Sequence, residues 1–108
     1  MSVLRIRLFE RGDSFVMESP LWGMSSLRPF RLVEAFAELL QTALSKGGVV
    51  QVDLVPSLED VVRDGLRQAS LQGGLTAATP ESLTFQCPDP RVERDLTVVA
   101  SSCLQLAA

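Results

Sequence analysis

The sequence predicts an α/β fold: a single two-layer sandwich, with one mixed sheet and two helices mainly on one face. Three observations predict it. Residues 3–9 alternate apolar and charged side chains, residues 27–45 repeat apolar side chains at helical spacing, and residues 49–55 are an apolar run of strand length. In order, the elements read β-β-α-β-α-(β)-β-β, and an α+β arrangement is the related alternative.

Val3 to Phe9 sets Leu4, Ile6 and Leu8 on one face and Arg5 and Arg7 on the other, which suits a half-buried strand. A turn at residues 10–14 leads into a second strand, Phe15 to Glu18. Placing Gly12-Asp13 at the centre of a type II′ hairpin puts Leu8 opposite Met17 and Arg7 opposite Glu18, so apolar meets apolar on one face and opposite charges meet on the other. The Arg11-Gly12-Asp13 tripeptide is then simply the turn.

A loop from Ser19 to Arg28 precedes a helix over Leu27–Ser45. Its buried stripe is Phe30, Val33, Phe36, Ala37, Leu40 and Leu44, with Glu34, Glu38, Gln41 and Ser45 facing water. Ser26 is placed to cap it, Pro29 is tolerated in the first turn, and Gly47 ends it. Val49 to Val55, broken only by Gln51 and Asp53, reads as an interior strand.

Ser57 and Asp60 then stand at capping-box spacing before a helix whose inner face is Leu58, Val61, Val62, Leu66 and Ala69. Gly65 lies on that face at a cost of about 1 kcal/mol against Ala, which points to close packing against the sheet. Gly73-Gly74 stops this helix. The remainder reads as a short strand at Leu75–Ala78, a turn at Thr79–Ser82 and a strand at Leu83–Cys87. A polar loop at Pro88–Arg94 and a long strand over Asp95–Leu106 complete the chain.

At 108 residues, with no linker or repeat, residues 1–108 form one domain. Ten basic and 13 acidic residues give a net charge of −3, and mean hydropathy is +0.22. The chain has no His and a single lysine, Lys46. That excludes a Ser-His-Asp or Cys-His nucleophile system and a Gly-Lys-Ser/Thr phosphate loop. Dispersed arginines in an acidic chain argue against a nucleic-acid partner.

Cys87 and Cys103 have neither zinc-ribbon nor framework spacing and read as reduced thiols. The first twenty residues are too charged for an export signal, and no run reaches the roughly 20 apolar residues of a membrane span. The expectation is a soluble, cytoplasmic protein without membrane contact, metal or cofactor.

Two surfaces stand out as places for a partner. Leu21, Trp22, Met24, Leu27 and Phe30, with Arg28 and Arg31 among them, form an aromatic and methionine anchor suited to another protein, since Trp dominates interface hot spots. The structural alternative is that this loop folds under itself and Trp22 closes the core. The uncharged C-terminal strand would invite pairing at a sheet edge through Val99, Ser101, Cys103 and Gln105. Glu59, Asp60 and Asp64 fit a helix N-terminus, with Glu59 paired to Arg63, better than a cation site.

The function these features support is a non-catalytic protein-interaction module that self-associates, docks on a larger protein as adaptor, regulator or inhibitor, or both. The alternative is a small ligand-binding or enzyme subunit holding an anion at the 23–31 helix start.

Overall fold

The alternation at the N-terminus builds β1 (Val3–Arg11), and everything else is arranged around it. The computed structural model describes residues 3–73, 75 and 79–107, the side chains of Pro80 and of residues 105–107 excepted. β1 turns back into β2 (Ser14–Glu18) with Arg7 opposite Glu18 and Leu8 opposite Met17, the register the sequence predicts. Gly12 carries φ +60° while Asp13 stays at negative φ, which fits a type II′ turn and excludes I′.

The chain then adds β3 (Met24–Ser26), runs through α1 (Arg31–Ser45) to β4 (Val49–Leu54), and through α2 (Glu59–Leu71) to β5 (Leu83–Gln86) and α3 (Pro90–Ala107). The sheet order is β3-β2-β1-β4-β5; β2 is antiparallel to its neighbours and the other pairs are parallel. β3, β4 and β5 therefore point the same way, and the crossovers through α1 and α2 progress in one direction across the sheet. Right-handed crossovers of that kind put both helices on one face. The mixed-sheet α/β sandwich predicted from the sequence is what the chain adopts.

The core lies between sheet and helices. Ile6 and Leu8 of β1, Met17 of β2 and Val50, Val52 and Leu54 of β4 meet Phe36, Leu40, Val62 and Leu66. Gln51 and Asp53 interrupt the apolar run of β4 because they point to the opposite, uncovered face.

Several expectations are corrected. The Asp95–Leu106 strand is a helix, α3, so the described residues hold three α-helices and not two. Asp89 accepts the Arg91 N–H at 3.0 Å and Pro90 occupies the first turn, a strong helix start. Val92, Leu96, Ala100, Cys103 and Leu104 then all face the core, a period near 3.6 that outweighs the strand propensity of Thr97, Val98 and Val99. Val99, Ser101, Cys103 and Gln105 consequently form no sheet edge.

The first helix begins at Arg31 rather than Leu27, because the Ser26 hydroxyl accepts the Arg28 N–H at 3.2 Å and caps a turn before it. Phe30, expected in the buried stripe, is left 61% exposed at the N-cap. Ser57 does not cap α2. A single 3-10 turn, Pro56–Leu58, precedes that helix, and the Ser57 hydroxyl donates to Glu10 Oε2 at 2.8 Å. Gly65 packs closely, but against the ring of Phe36 in α1 and not against the sheet, since a Cβ there would overlap that ring.

Gly47 ends α1 as expected, at φ +76° with its N–H on the Leu44 carbonyl at 3.0 Å. Glu59 pairs with Arg63 at 2.8 Å, and Asp60 joins at 3.0 Å. Of the short strand expected at Leu75–Ala78, Leu75 is buried in a turn; residues 76–78 lie outside the described residues, as does Gly74.

Asp89 is held below its ordinary value of 3.8, chiefly by the Arg91 backbone N–H and then by the Arg91 side chain. A carboxylate depressed in the folded state stabilises fully above the unfolded value and loses that contribution as pH falls through the folded one. Helicity at the α3 start should therefore decline as pH drops below 3.8, and an Asp89→Asn variant should lose that pH step. Following the Arg91 amide resonance through an acid titration tests this; an unmoving resonance would refute it.

Candidate functional site

Three surfaces can meet another molecule, and they differ in what their side chains leave unsatisfied. A concavity of about 600 Å3 lies on the uncovered sheet face beside Arg5, Arg7, Asp53, Gln86 and Glu93. Its polar groups are already partnered. Arg5 meets Asp53 at 3.3 Å, Arg7 meets Glu18 at 2.8 Å, and the Gln51 amide donates to Asp53 and to Gln86 at 2.8 Å each. Glu93 Oε1 accepts the Cys87 N–H at 2.7 Å. The Arg7 and Arg11 guanidinium groups also lie 5.2 and 5.4 Å from the Phe9 ring centroid. This is a self-neutralised, solvated face, in which exposed pairs contribute little. Among the described residues no polar side chain is buried and no three metal-ligating side chains converge.

The second surface is a groove of about 400 Å3 between α2 and α3, lined by Arg67, Ser70, Leu71, Val98, Val99 and Cys103. Two residues expected in the pairing strand, Val99 and Cys103, thus meet here on a helix instead. Ser101 is half-buried outside the groove lining, and the side chain of Gln105 lies outside the described residues. Burial pushes the Cys103 thiol up, against smaller opposite pulls from Arg67 and Ser70. Cys103 should therefore resist thiol reagents at neutral pH until the protein is unfolded; a native rate matching a free thiol would contradict this packing.

Both cysteines are free and buried. Cys87 precedes α3 and Cys103 lies well along it, about 20 Å further on at helical rise. The helix keeps the two thiols apart.

The third surface is the β3 end of the sheet, where the loop singled out in the sequence falls. Ser19 organises the approach: its hydroxyl accepts the Leu21 and Trp22 N–H groups at 3.2 and 3.3 Å and donates to the Trp22 carbonyl at 2.9 Å. Gly23 then lets the chain close on β2, since a Cβ there would stand 2.7 Å from the Met17 carbonyl oxygen. Met24, Ser25 and Ser26 pair with Met17, Val16 and Phe15, and among the described residues nothing flanks β3 on its other side in the sheet.

The apolar residues of this segment do not form one anchor. Leu21 lines a small cleft with Ala43, Lys46 and Gly48 at the end of α1, whereas Phe30 stands at its start, about 20 Å away along the helix. They bracket β3 instead. Leu21 and Trp22 precede it with 40% and 37% exposure; Leu27 and Phe30 follow it with 71% and 61%. Met24 is half-buried against the core. Trp22 therefore does not close the core.

Leu27 and Phe30, which the sequence places both in this cluster and at the start of a helix, stand exposed on the turn before α1 instead. The signal that could have moved them outward is Ser26 with Pro29, which favours a turn before the helix. The Gly23–Arg31 helix start is also not one site. Gly23 to Ser26 enter and form a strand, and the first N–H groups of α1, on Arg31, Leu32 and Val33, are bonded to the carbonyls of Arg28, Pro29 and Phe30 at 3.2, 2.9 and 3.2 Å. Arg31 stacks on Phe30, 5.7 Å from its centroid.

Among the described residues no helix is long and apolar enough to cross a membrane. The chain matches no protein-family model, and no curated protein or solved structure is significantly similar to it, so the reading of its function rests on these surfaces alone.

Proposed function

We propose that this chain is a non-catalytic protein-interaction module whose binding element is the β3 edge with its flanking residues. One observation carries the reading: a sheet edge open for pairing is bracketed on both sides by exposed large apolar side chains, Leu21 and Trp22 before it and Leu27 and Phe30 after it. Main-chain pairing along an edge supplies affinity, and side chains at its ends supply specificity. Exposed aromatic and leucine side chains in one stretch are what interfaces bury first.

Catalysis finds less support, because the charged groups of the sheet-face cleft are already bonded within the chain. The arginines of the sheet face are engaged with Asp53, Glu18 and Phe9, which leaves little for a nucleic acid. Two free thiols fit a reducing compartment such as the cytoplasm.

The test is comparative capture from the native host with the wild-type chain and a Leu27→Asp/Phe30→Asp variant. At least one protein should be retained by the first and released by the second, and its binding should blue-shift Trp22 emission and shield it from quenchers. Identical retention on both would sink the reading.

A further inference from the structure

The β3 edge can be assigned an occupant. We propose that it pairs antiparallel with the β3 edge of a second copy of this chain, about a two-fold axis through Ser25; the proposal rests on the interaction-edge reading above. The edge is self-complementary. A two-fold interface must bring each end of the element against the opposite end of its copy. Here both ends are apolar, so Leu21 and Trp22 of one copy run alongside Leu27 and Phe30 of the other, and the match occurs twice.

Register follows from the strand period. Opposed residues in an antiparallel pair point to the same face, so a two-fold axis normal to the sheet must pass through a residue pair. Only an axis at Ser25 pairs all three β3 residues with β3 residues: Met24 with Ser26, Ser25 with itself and Ser26 with Met24. The same register sets Trp22 of one copy opposite Arg28 of the other. Arg28 is exposed and makes no ion pair among the described residues, so it is available to the indole face.

Pro20 and Pro29 bracket the segment and lack the N–H that would extend the ladder. Pairing therefore stops after a few residues and closes as a dimer, with a sheet running continuously through ten strands and the helices of both copies on one face. The opposite edge offers no such match: on β5, Thr84 and Gln86 are exposed and polar.

Sedimentation velocity from low to high micromolar protein tests the proposal. The wild type should dimerise as concentration rises, and Leu27→Asp/Phe30→Asp should weaken that dimer by about tenfold or more while leaving the circular dichroism spectrum unchanged. A Ser25→Cys variant treated with oxidised glutathione should yield a covalent dimer joined at position 25, identified by peptide mass, because the opposed Cα atoms fall within disulfide range. Adding Leu27→Asp/Phe30→Asp should suppress that product.

A dimer indifferent to these changes but lost on Val98→Asp would place the contact at the α2–α3 groove and overturn the proposal. A wild type that stays monomeric also overturns it. If host proteins are then still retained through Leu27 and Phe30, the edge reading stands with a different partner; if none is, both fall together.

Discussion

Phe36→Ala should cost the protein about 3–5 kcal/mol of stability, as for other fully buried aromatic side chains. Phe36 is fully buried at the centre of the helix layer and lies on the bare backbone of Gly65. Gly65→Ala tests the same contact from the other side. It gains about 1 kcal/mol of helix propensity, yet its Cβ would overlap the Phe36 ring, and overpacking of this kind costs about 1–3 kcal/mol. Net destabilisation is expected, growing sharply with Gly65→Leu.

The decisive measurement is the double-mutant cycle. Phe36→Leu should relieve part of the clash, so Gly65→Ala should be less harmful in that background than in the wild type. Chemical denaturation of the four proteins reads the coupling directly. Additive effects would mean that α1 and α2 do not meet at this pair.

The second large effect concerns α3. Leu96→Ala should cost about 2–5 kcal/mol, because Leu96 is fully buried in the core. Val98→Asp, two residues on, should change stability by less than about 0.5 kcal/mol, since Val98 is 63% exposed. A strand would place residues 96 and 98 on the same face, so it would make both substitutions severe. Thr97→Pro sharpens the contrast: inside a helix it should cost about 3 kcal/mol or more. Equal sensitivity at Leu96 and Val98 would refute the helix.

Much of the fold is legible in residue pattern. The hairpin was readable in full because its turn, its apolar pair Leu8–Met17 and its charged pair Arg7–Glu18 all specify one register. The inner face of α2, the end of α1 at Gly47 and the Glu59–Arg63 pair were equally readable, each resting on residues within a few positions of one another. The C-terminal element was not, although its signals are present. Asp89-Pro90 marks a helix start, and Val92, Leu96, Ala100, Cys103 and Leu104 keep helical spacing. The β-branched run Thr97-Val98-Val99 points the other way, and local propensity yields when a helical face finds a core to cover.

The candidate site was legible as a region and not as a shape. Leu21, Trp22, Met24 and Arg28 were identified from composition, and all lie in or beside β3. What they form depended on partners far along the chain. β3 is three residues long and has no alternation of its own; it is a strand because Gly23 lets it close on β2. Leu27 and Phe30 are exposed because Ser26 and Pro29 spend those residues on a turn before α1 begins.

By itself, then, the sequence determined the class of the fold, the hairpin register, the lack of any histidine side chain and the stretches carrying surplus apolar residues. These depend on period, composition and short-range pairing, which are properties of neighbouring residues. The tertiary structure alone decided that the last element is a helix, that Gly65 serves Phe36 and not the sheet, and that the apolar segment brackets an open edge. Each of those is an energy difference between alternative burials of the same side chains, and burial is defined only once distant elements have met.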